Sequence, residues 1–264
     1  MERVKIEINN HIAVVSFNRA EKMNALDPEQ FRAIIEAGKQ VGENAAVRVV
    51  VLRGEGRAFC AGLDVMAFQA DSEVTGNSLI PRTHGITNTW QQAVWVWRAL
   101  PVPVIAAVHG VAFGGGLQIM LGADIKYITA DTRLSIMEMK WGLIPDMAGT
   151  QLMRHSVRDD IIRELTYTNR VFSGAEAVQY GFATHLSENP FEDAMTLATE
   201  IASKSPSAIV KAKKLLNAAP YLNREEGLMM ESVEQEAIMS QKNQLEAVFS
   251  SLQKRPGNFE DYRD

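Results

Sequence analysis

Cysteine is nearly absent from this 264-residue chain. Cys60 is the only one, which excludes an intrachain disulfide framework and predicts a reducing compartment. Basic charge is not in excess either: the formal net charge is −5, so there is no global basic footprint and no nucleic-acid partner is expected. No apolar run reaches the roughly 18 residues that a membrane span needs. MERVKIEINN carries no signal-peptide pattern, so a cytoplasmic protein without membrane insertion is expected. The five histidines show no metal-ligand spacing, and no metal is expected. No G-x-G-x-x-G follows the first strand and no G-x-S-x-G occurs, which argues against a dinucleotide site and a serine hydrolase.

Apolar pattern is what the chain does have. At 46% hydrophobic it can bury a sizeable core, as one large domain or as a domain plus an appendage. Val4–Ile8 and Ile12–Phe17 flank Asn9-Asn10-His11 and read as a β-hairpin. Asp27, Pro28 and Gln30 read as N-cap, N1 and N3 of a helix with an apolar face at Phe31, Ile34, Ile35 and Val41. Val47–Leu52 reads as a buried strand, and the polar stretch from about Asp71 to Pro81 as a mobile loop. Ile86, Trp90, Ala93, Val94, Trp97 and Leu100 form a helical stripe. Trp95 and Val96 lie off it, either packed or bordering an apolar pocket.

Pro103–Val108 reads as a strand, Gly114-Gly115-Gly116 opens a buried helix to about Leu121, and Ile125–Thr129 and Leu134–Met137 read as strands. Two strands and a helix recur without long linkers, which fits a coiled ββα spiral better than a doubly wound sheet. Ser173-Gly174-Ala175-Glu176 is a capping box whose helix Gly181 ends. From Phe191 the pattern is almost purely helical, with new helices expected at Pro206 and Asn223. Its apolar faces (Leu228, Val233, Ile238, Leu245, Phe249) exceed what the tail can bury against itself.

The triple glycine is the stretch the rest is organised around. No Cβ stands between a ligand and the backbone there, and the first N–H groups of the helix lack intrahelical partners. Such a place holds a phosphate, or the oxygen of a carbonyl becoming an enolate; on its own it is equally a structural turn. A second stretch, Phe59-Cys60-Ala61-Gly62-Leu63-Asp64, changes the balance. Together, FCAGLD and FGGGLQ resemble the enoyl-CoA hydratase/isomerase (crotonase) superfamily. The resemblance runs from FNRAEKMNAL (Phe17 to Leu26) through IPDMAGTQ (Ile144 to Gln151) to QKRP near the C-terminus.

The resemblance implies an α/β fold, a crotonase (ClpP-like) spiral of ββα repeats over residues 1–190 with an acyl-CoA site. Residues 191–264 would be a C-terminal helical region that packs subunits into a homotrimer or hexamer. The implied substrate is an acyl-CoA thioester, with no cofactor beyond its CoA moiety, and the implied enzyme is an isomerase or lyase. The backbone N–H groups of Leu63 and Gly115 would form an oxyanion hole. Lys22, Ala61, Gly62 and Lys254, with Arg255, match positions that meet CoA, although the family's aromatic residue before the final Lys-Arg is not evident here. Asp64 reads as a turn cap and Cys60 as a packed apolar residue rather than a reactive thiol.

The acid–base positions depart from the hydratase pattern. A hydratase of this family has one glutamate three residues after the middle glycine, where this chain has Gln118, and a second at Glu138. An amide exchanges no proton near neutral pH, though it can orient a water or a substrate oxygen. Asp146, eight residues beyond Glu138, supplies another carboxylate, an arrangement that resembles members moving double bonds in dienoyl-CoA thioesters. Buried against Trp141 and Ile144, Glu138 and Asp146 are expected to have raised pKa values and to share a proton. Double-bond isomerisation is therefore favoured over hydration. A hydratase using Glu138 alone and a non-catalytic acyl-CoA-binding relative stay open. Asp146 could instead cap a helix at Met147–Met153. A dehalogenating branch with an Asp nucleophile finds only a loose histidine in His84, and His155 reads as structural.

Overall fold

The computed structural model describes residues 2–70 and 78–262; 71–77, most of the loop expected between Asp71 and Pro81, lie outside the described residues. β1 (Val4–Asn9) and β2 (Ile12–Phe17) pair antiparallel across Asn10 and His11, both at positive φ, as a tight hairpin turn requires. β3 (Val49–Gly54), β4 (Val104–Val108), β6 (Ile125–Ile128) and β9 (His185–Leu186) continue this sheet in parallel. A second sheet holds β5 (Val111–Phe113), β7 (Arg133–Ser135) and β8 (Phe172–Ser173), and Cys60 bridges in parallel to Ala112 at its edge. Each repeat therefore sends one strand into the large sheet and its next residues into the small one: β3 then Cys60, β4 then β5, β6 then β7. This is the ββα spiral of a crotonase, in place of a doubly wound sheet.

Local chemistry sets the helix starts. Before α1 (Pro28–Glu43), the Asp27 carboxylate accepts the Gln30 N–H at 2.7 Å and pairs with Arg3 and Arg19 at 2.9 and 3.3 Å. Asp64 accepts the Ala67 N–H ahead of α2 (Val65–Ala70) and pairs with Arg19, so it is the expected turn cap. α3 (Thr89–Ala99) opens on a capping box of Asn88 and Gln91. Ile86 consequently lies outside it, 71% exposed, while Val96 is buried where α3 crosses α1. A Cβ on Gly38 would fall 2.3 Å from Val96, so Val96 is packing and borders no pocket.

α4 (Gly115–Leu121) is wholly buried, packed against α3 and β5, as an apolar helix must be. α5 (Gly149–Met153) and α6 (Asp159–Thr168) follow, and α7 (Gly174–Tyr180) has the expected capping box and a left-handed Gly181 stop. α8 (Pro190–Ala202) lays Ala194, Ala198 and Ala202 on Ile12, Val49, Val51, Ile105 and Ala107 of the large sheet. The helical pattern beginning near 191 thus starts inside the packed unit. α9 (Pro206–Ala218) is tied in as well: Lys213 donates to Val102 O at 2.8 Å and to Asp124 at 2.7 Å. α10 (Arg224–Ile238) and α11 (Lys242–Leu252) leave Leu228, Val233, Leu245 and Phe249 exposed. Among the described residues, no helix is long and apolar enough to cross a membrane.

Asp27 joins a helix cap to two arginines in one buried carboxylate. Asp27→Ala is expected to lower unfolding stability by about 1–2 kcal/mol, the usual weight of a lost cap. Glu29→Ala, at the exposed partner of Arg3, should stay within roughly 0.5 kcal/mol. Urea denaturation of both variants checks the contrast.

Candidate active site

Two loops meet above α4. Phe113 N–H donates to Cys60 O at 3.1 Å and Cys60 N–H to Val111 O at 3.1 Å, so segments 60–63 and 111–115 run side by side. The contact requires glycine: at Gly62 (φ +81°) a Cβ would lie 2.4 Å from Phe113 O, and at Gly116 one would lie 2.3 Å from Cys60 O. Leu26 N–H donates to Gly62 O and Asp64 N–H to Leu26 O, both at 2.8 Å, which turns the intervening Leu63 N–H away from that bridge. Gly115 is the first residue of α4, so its N–H has no intrahelical acceptor. The Gly62 Cβ position lies 3.7 Å from Gly115 N, so the loops carrying the two donors are in contact.

Glu138 sits in a 3-10 turn (Met137–Trp141) directly after β7. Its Oε1 would be 3.2 Å from a Cβ on Gly114, which places the carboxylate against the glycine that precedes Gly115. Gln118 is buried, and its amide is fully defined by its neighbours. Nε2 donates to Glu138 Oε1 at 2.6 Å, while Oε1 accepts the N–H groups of Met147 and Gly149, each at 2.9 Å. Only this amide orientation puts the donor on the carboxylate and the acceptor on two N–H groups. Both lone-pair directions of Oε1 are taken by backbone. Glu138 Oε2 is buried with no hydrogen-bond partner among the described residues.

Burial raises the Glu138 pKa above the usual 4.5, and nearby Asp146 adds a smaller push. The Gln118 N–H and Glu138's own backbone pull it back. Burial likewise raises Asp146 above 3.8. Asp146 lines a cleft of about 300 Å³ with Leu79, Arg82 and Ile144. It caps no helix: Ala148, in the left-handed region, occupies the N-cap of α5 and no side chain caps it. Nor is a hydrogen bond found between Asp146 and Glu138, so the expected shared proton has no bond to carry it. The expected burial against Trp141 and Ile144 is also absent within one chain, since these are 50% and 69% exposed. Glu138 is desolvated instead by Gly114, Met137 and Gln118.

The remaining positions divide. Lys22 is exposed in a 3-10 turn (Ala20–Lys22) beside the FCAGLD loop, because Ala61 N–H donates to Met23 O at 2.9 Å. Lys254 lies after α11, and no hydrogen bond or ion pair among the described residues joins it to the 19–26 segment or the glycine loops. Cys60 is buried with its thiol pushed up to about 12 by desolvation, so it packs and does not react. His84 lines a cavity of about 760 Å³ between α1 and residues 78–90, whose wall holds neither Glu138 nor Asp146 but shares Leu79 and Asn88 with the Asp146 cleft. His155 touches Arg154 and Tyr221 on the surface.

Three side chains that support the site escaped the sequence reading. Asn169 donates to Ser135 Oγ at 3.0 Å and Ile136 O at 2.9 Å, fixing the chain just before Glu138. Asn24 donates to Glu55 O and Ala58 O, and Arg19 ties Ala25 O to Asp64. The local signal was asparagine in the left-handed region, at the helix stop Asn169 and at Asn24.

The pKa directions fix a stability test. A carboxyl whose pKa is raised on folding keeps its proton to a higher pH in the folded state than in the unfolded chain. Its stabilising contribution is present below about 4.5 and is lost as pH rises through the raised value. Glu138→Gln removes that loss. Denaturation from pH 4 to 8 should show the variant gaining stability relative to wild type as pH increases; a pH-independent difference would contradict the burial argument.

Comparison with known proteins agrees with this geometry. The family model described as enoyl-CoA hydratase/isomerase matches residues 7–262. The mitochondrial methylglutaconyl-CoA hydratase of Mus musculus is 29% identical over 262 residues, covering 96% of this chain and 81% of that protein. The mitochondrial Delta(3,5)-Delta(2,4)-dienoyl-CoA isomerase of Homo sapiens is 31% identical over 211 residues, 77% of this chain and 64% of that one. The crystal structure of an enoyl-CoA hydratase from Bacillus anthracis superposes with a TM-score of 0.90 at 28% identity, covering 98% of this chain and 100% of that one. The hydrogen-bonded glycine loops and the match along nearly the whole length lead to one assignment: this chain is an enzyme of the enoyl-CoA hydratase/isomerase family.

Proposed function

We propose that the chain moves a double bond along an acyl-CoA thioester. The observation that carries this reading is the state of Glu138: one oxygen held by Gln118 and set against Gly114, the other buried with no hydrogen-bond partner among the described residues. The thioester oxygen sits between the Leu63 and Gly115 N–H groups, which take up the charge of the enolate. Glu138, beside the hole, removes the proton from the α carbon. Asp146, on the cleft it lines, delivers a proton to a carbon deeper in the acyl chain. Gln118 favours this division of labour, because its N–H stabilises the ionised form of Glu138 while Asp146 has only its own backbone to oppose burial. No proton is gained or lost overall, and the two carboxyls exchange roles through solvent before the next cycle.

Gln118 weakens the hydratase reading. Its Oε1 is occupied by the Met147 and Gly149 N–H groups and has no lone pair left to hold an attacking water. The CoA moiety is held by Lys22, Ala61, Gly62 and Lys254. Lys254 reaches such a site from a second subunit, and the exposed faces of α10 and α11 pack the trimer or hexamer that brings it there. Light scattering should therefore give the mass of three or six chains; a stable monomer at micromolar concentration would overturn the assembly.

Glu138→Gln and Asp146→Asn are each expected to lower isomerisation by ~10²–10⁴, the weight of a positioned acid or base. Gln118→Glu keeps an acceptor for the two N–H groups and sets two carboxyls at Glu138's side of the hole. It should raise hydration relative to isomerisation. A panel of 2-enoyl-, 3-enoyl- and 3,5-dienoyl-CoA thioesters measures both. Unimpaired turnover in Asp146→Asn would leave Glu138 with water as the whole machinery.

A further inference from the structure

We propose that the acyl group accepted by this chain ends in a carboxylate, and that Arg82 is the residue that selects it. The proposal rests on the acyl-CoA reading above and deepens it by naming the class of acyl group. The cleft at Asp146 and an adjoining cavity of about 520 Å³ share Arg82 and Gln91 in their walls. Of all the side chains lining the two, only Arg82 and Asp146 carry a charge. The smaller wall is otherwise mostly apolar, with Leu79, Leu143 and Ile144.

The guanidinium is positioned before any ligand arrives. Its Nε donates to Ile80 O at 2.8 Å, one Nη to Gln91 Oε1 at 2.9 Å and the other Nη to Leu79 O. Gln91 is itself fixed, since the same Oε1 accepts the Asn88 N–H at 3.1 Å in the capping box of α3. All three acceptors are neutral, and Arg82 forms no ion pair among the described residues. Three of the five guanidinium N–H groups are used, which leaves one on each terminal nitrogen. Those two N–H groups remain to donate to the oxygens of a carboxylate. Arg82 is solvent-exposed on the cleft wall, so a hydrocarbon tail gains nothing from its charge, whereas a terminal carboxylate pairs with it. Asp146 does not oppose such a tail while its carboxyl holds the proton it delivers.

The test is binding, so it does not depend on turnover. Purified protein is titrated with saturated acyl-CoAs in pairs of equal length, with and without a terminal carboxylate: succinyl- against butyryl-CoA, adipoyl- against hexanoyl-CoA, suberoyl- against octanoyl-CoA. At the preferred length the carboxylated ligand should bind at least about tenfold more tightly, as a charge-assisted pair gives. That ratio should shrink as salt rises from roughly 20 to 500 mM and should collapse toward one in Arg82→Gln. Should Arg82→Gln fold poorly, the salt dependence of the wild-type ratio decides alone. A wild-type ratio near one at every length overturns the proposal, as does a ratio that salt and Arg82→Gln leave intact. If the ratio behaves as expected but no unsaturated counterpart is turned over, the isomerase reading fails and this one stands. Turnover of neutral thioesters with a ratio near one has the opposite meaning.

Discussion

The close approach of two backbones is the constraint on which everything else in this molecule depends. Segments 60–63 and 111–115 are hydrogen-bonded to each other through Cys60, and side chains at Gly62 or Gly116 would collide with backbone oxygens at under 2.5 Å. The spiral exists to bring about this meeting. Each repeat places one strand in the large sheet and turns its next residues into the small one, so the ends of successive repeats stack on the same side. β3 leads to Cys60, β4 leads to Gly114, and β6 leads through β7 to Glu138. Three turns of the chain thus bring the Gly62 loop, the Gly115 loop and the Glu138 carboxylate side by side.

Gln118 ties the third turn to the start of α5. A single amide grips Glu138 with its nitrogen and the Met147–Gly149 segment with its oxygen. Gly149 is as specific as the loop glycines, because a Cβ there would lie 2.6 Å from Gln118 Oε1. The segment so held starts one residue after Asp146. Gln118 therefore sets the relative position of the two acids even though it touches only one of them. Asn169 does the same from the opposite side, by fixing Ser135 and Ile136.

The parts of the fold that could be read in the sequence are those decided within a few residues. The Asp27 cap and the Ser173 capping box follow from side chains bonding to their own neighbours, and the Asn10-His11 turn from two residues at positive φ. The buried strands declared themselves by apolar runs. Periodicity failed where packing was decided elsewhere: Ile86 fits the stripe of α3 but precedes its cap, and Val96 lies off the stripe but meets Gly38 of a distant helix. The site shows the same division. Glu138 and Asp146 were legible only through the resemblance, as matches to the family's acid positions. Nothing local could show that the Gln118 oxygen is spent on backbone 29 and 31 residues away, or that Asp146 caps nothing. Arg82 went unnoticed because an arginine in a polar loop has no pattern, and its interest comes only from the walls it shares.

The amide at 118 also decides how many charges the site can hold. Two carboxylates at the 2.6 Å separation seen between Gln118 Nε2 and Glu138 Oε1 cannot both ionise, so a glutamate there would share one proton with Glu138. With an amide, Glu138 titrates without that partner and is opposed chiefly by burial. The second proton-handling group of the proposed reaction then has to come from elsewhere. Asp146 is placed for it: it lies on the cleft, is raised by burial and is uncommitted to any cap. Separating the two acids, in place of clustering them at one carbon, suits a proton that leaves at one atom of the chain and returns at another. Arg82 stands in the wall of the same cleft as Asp146, where the proposed terminal carboxylate would meet it.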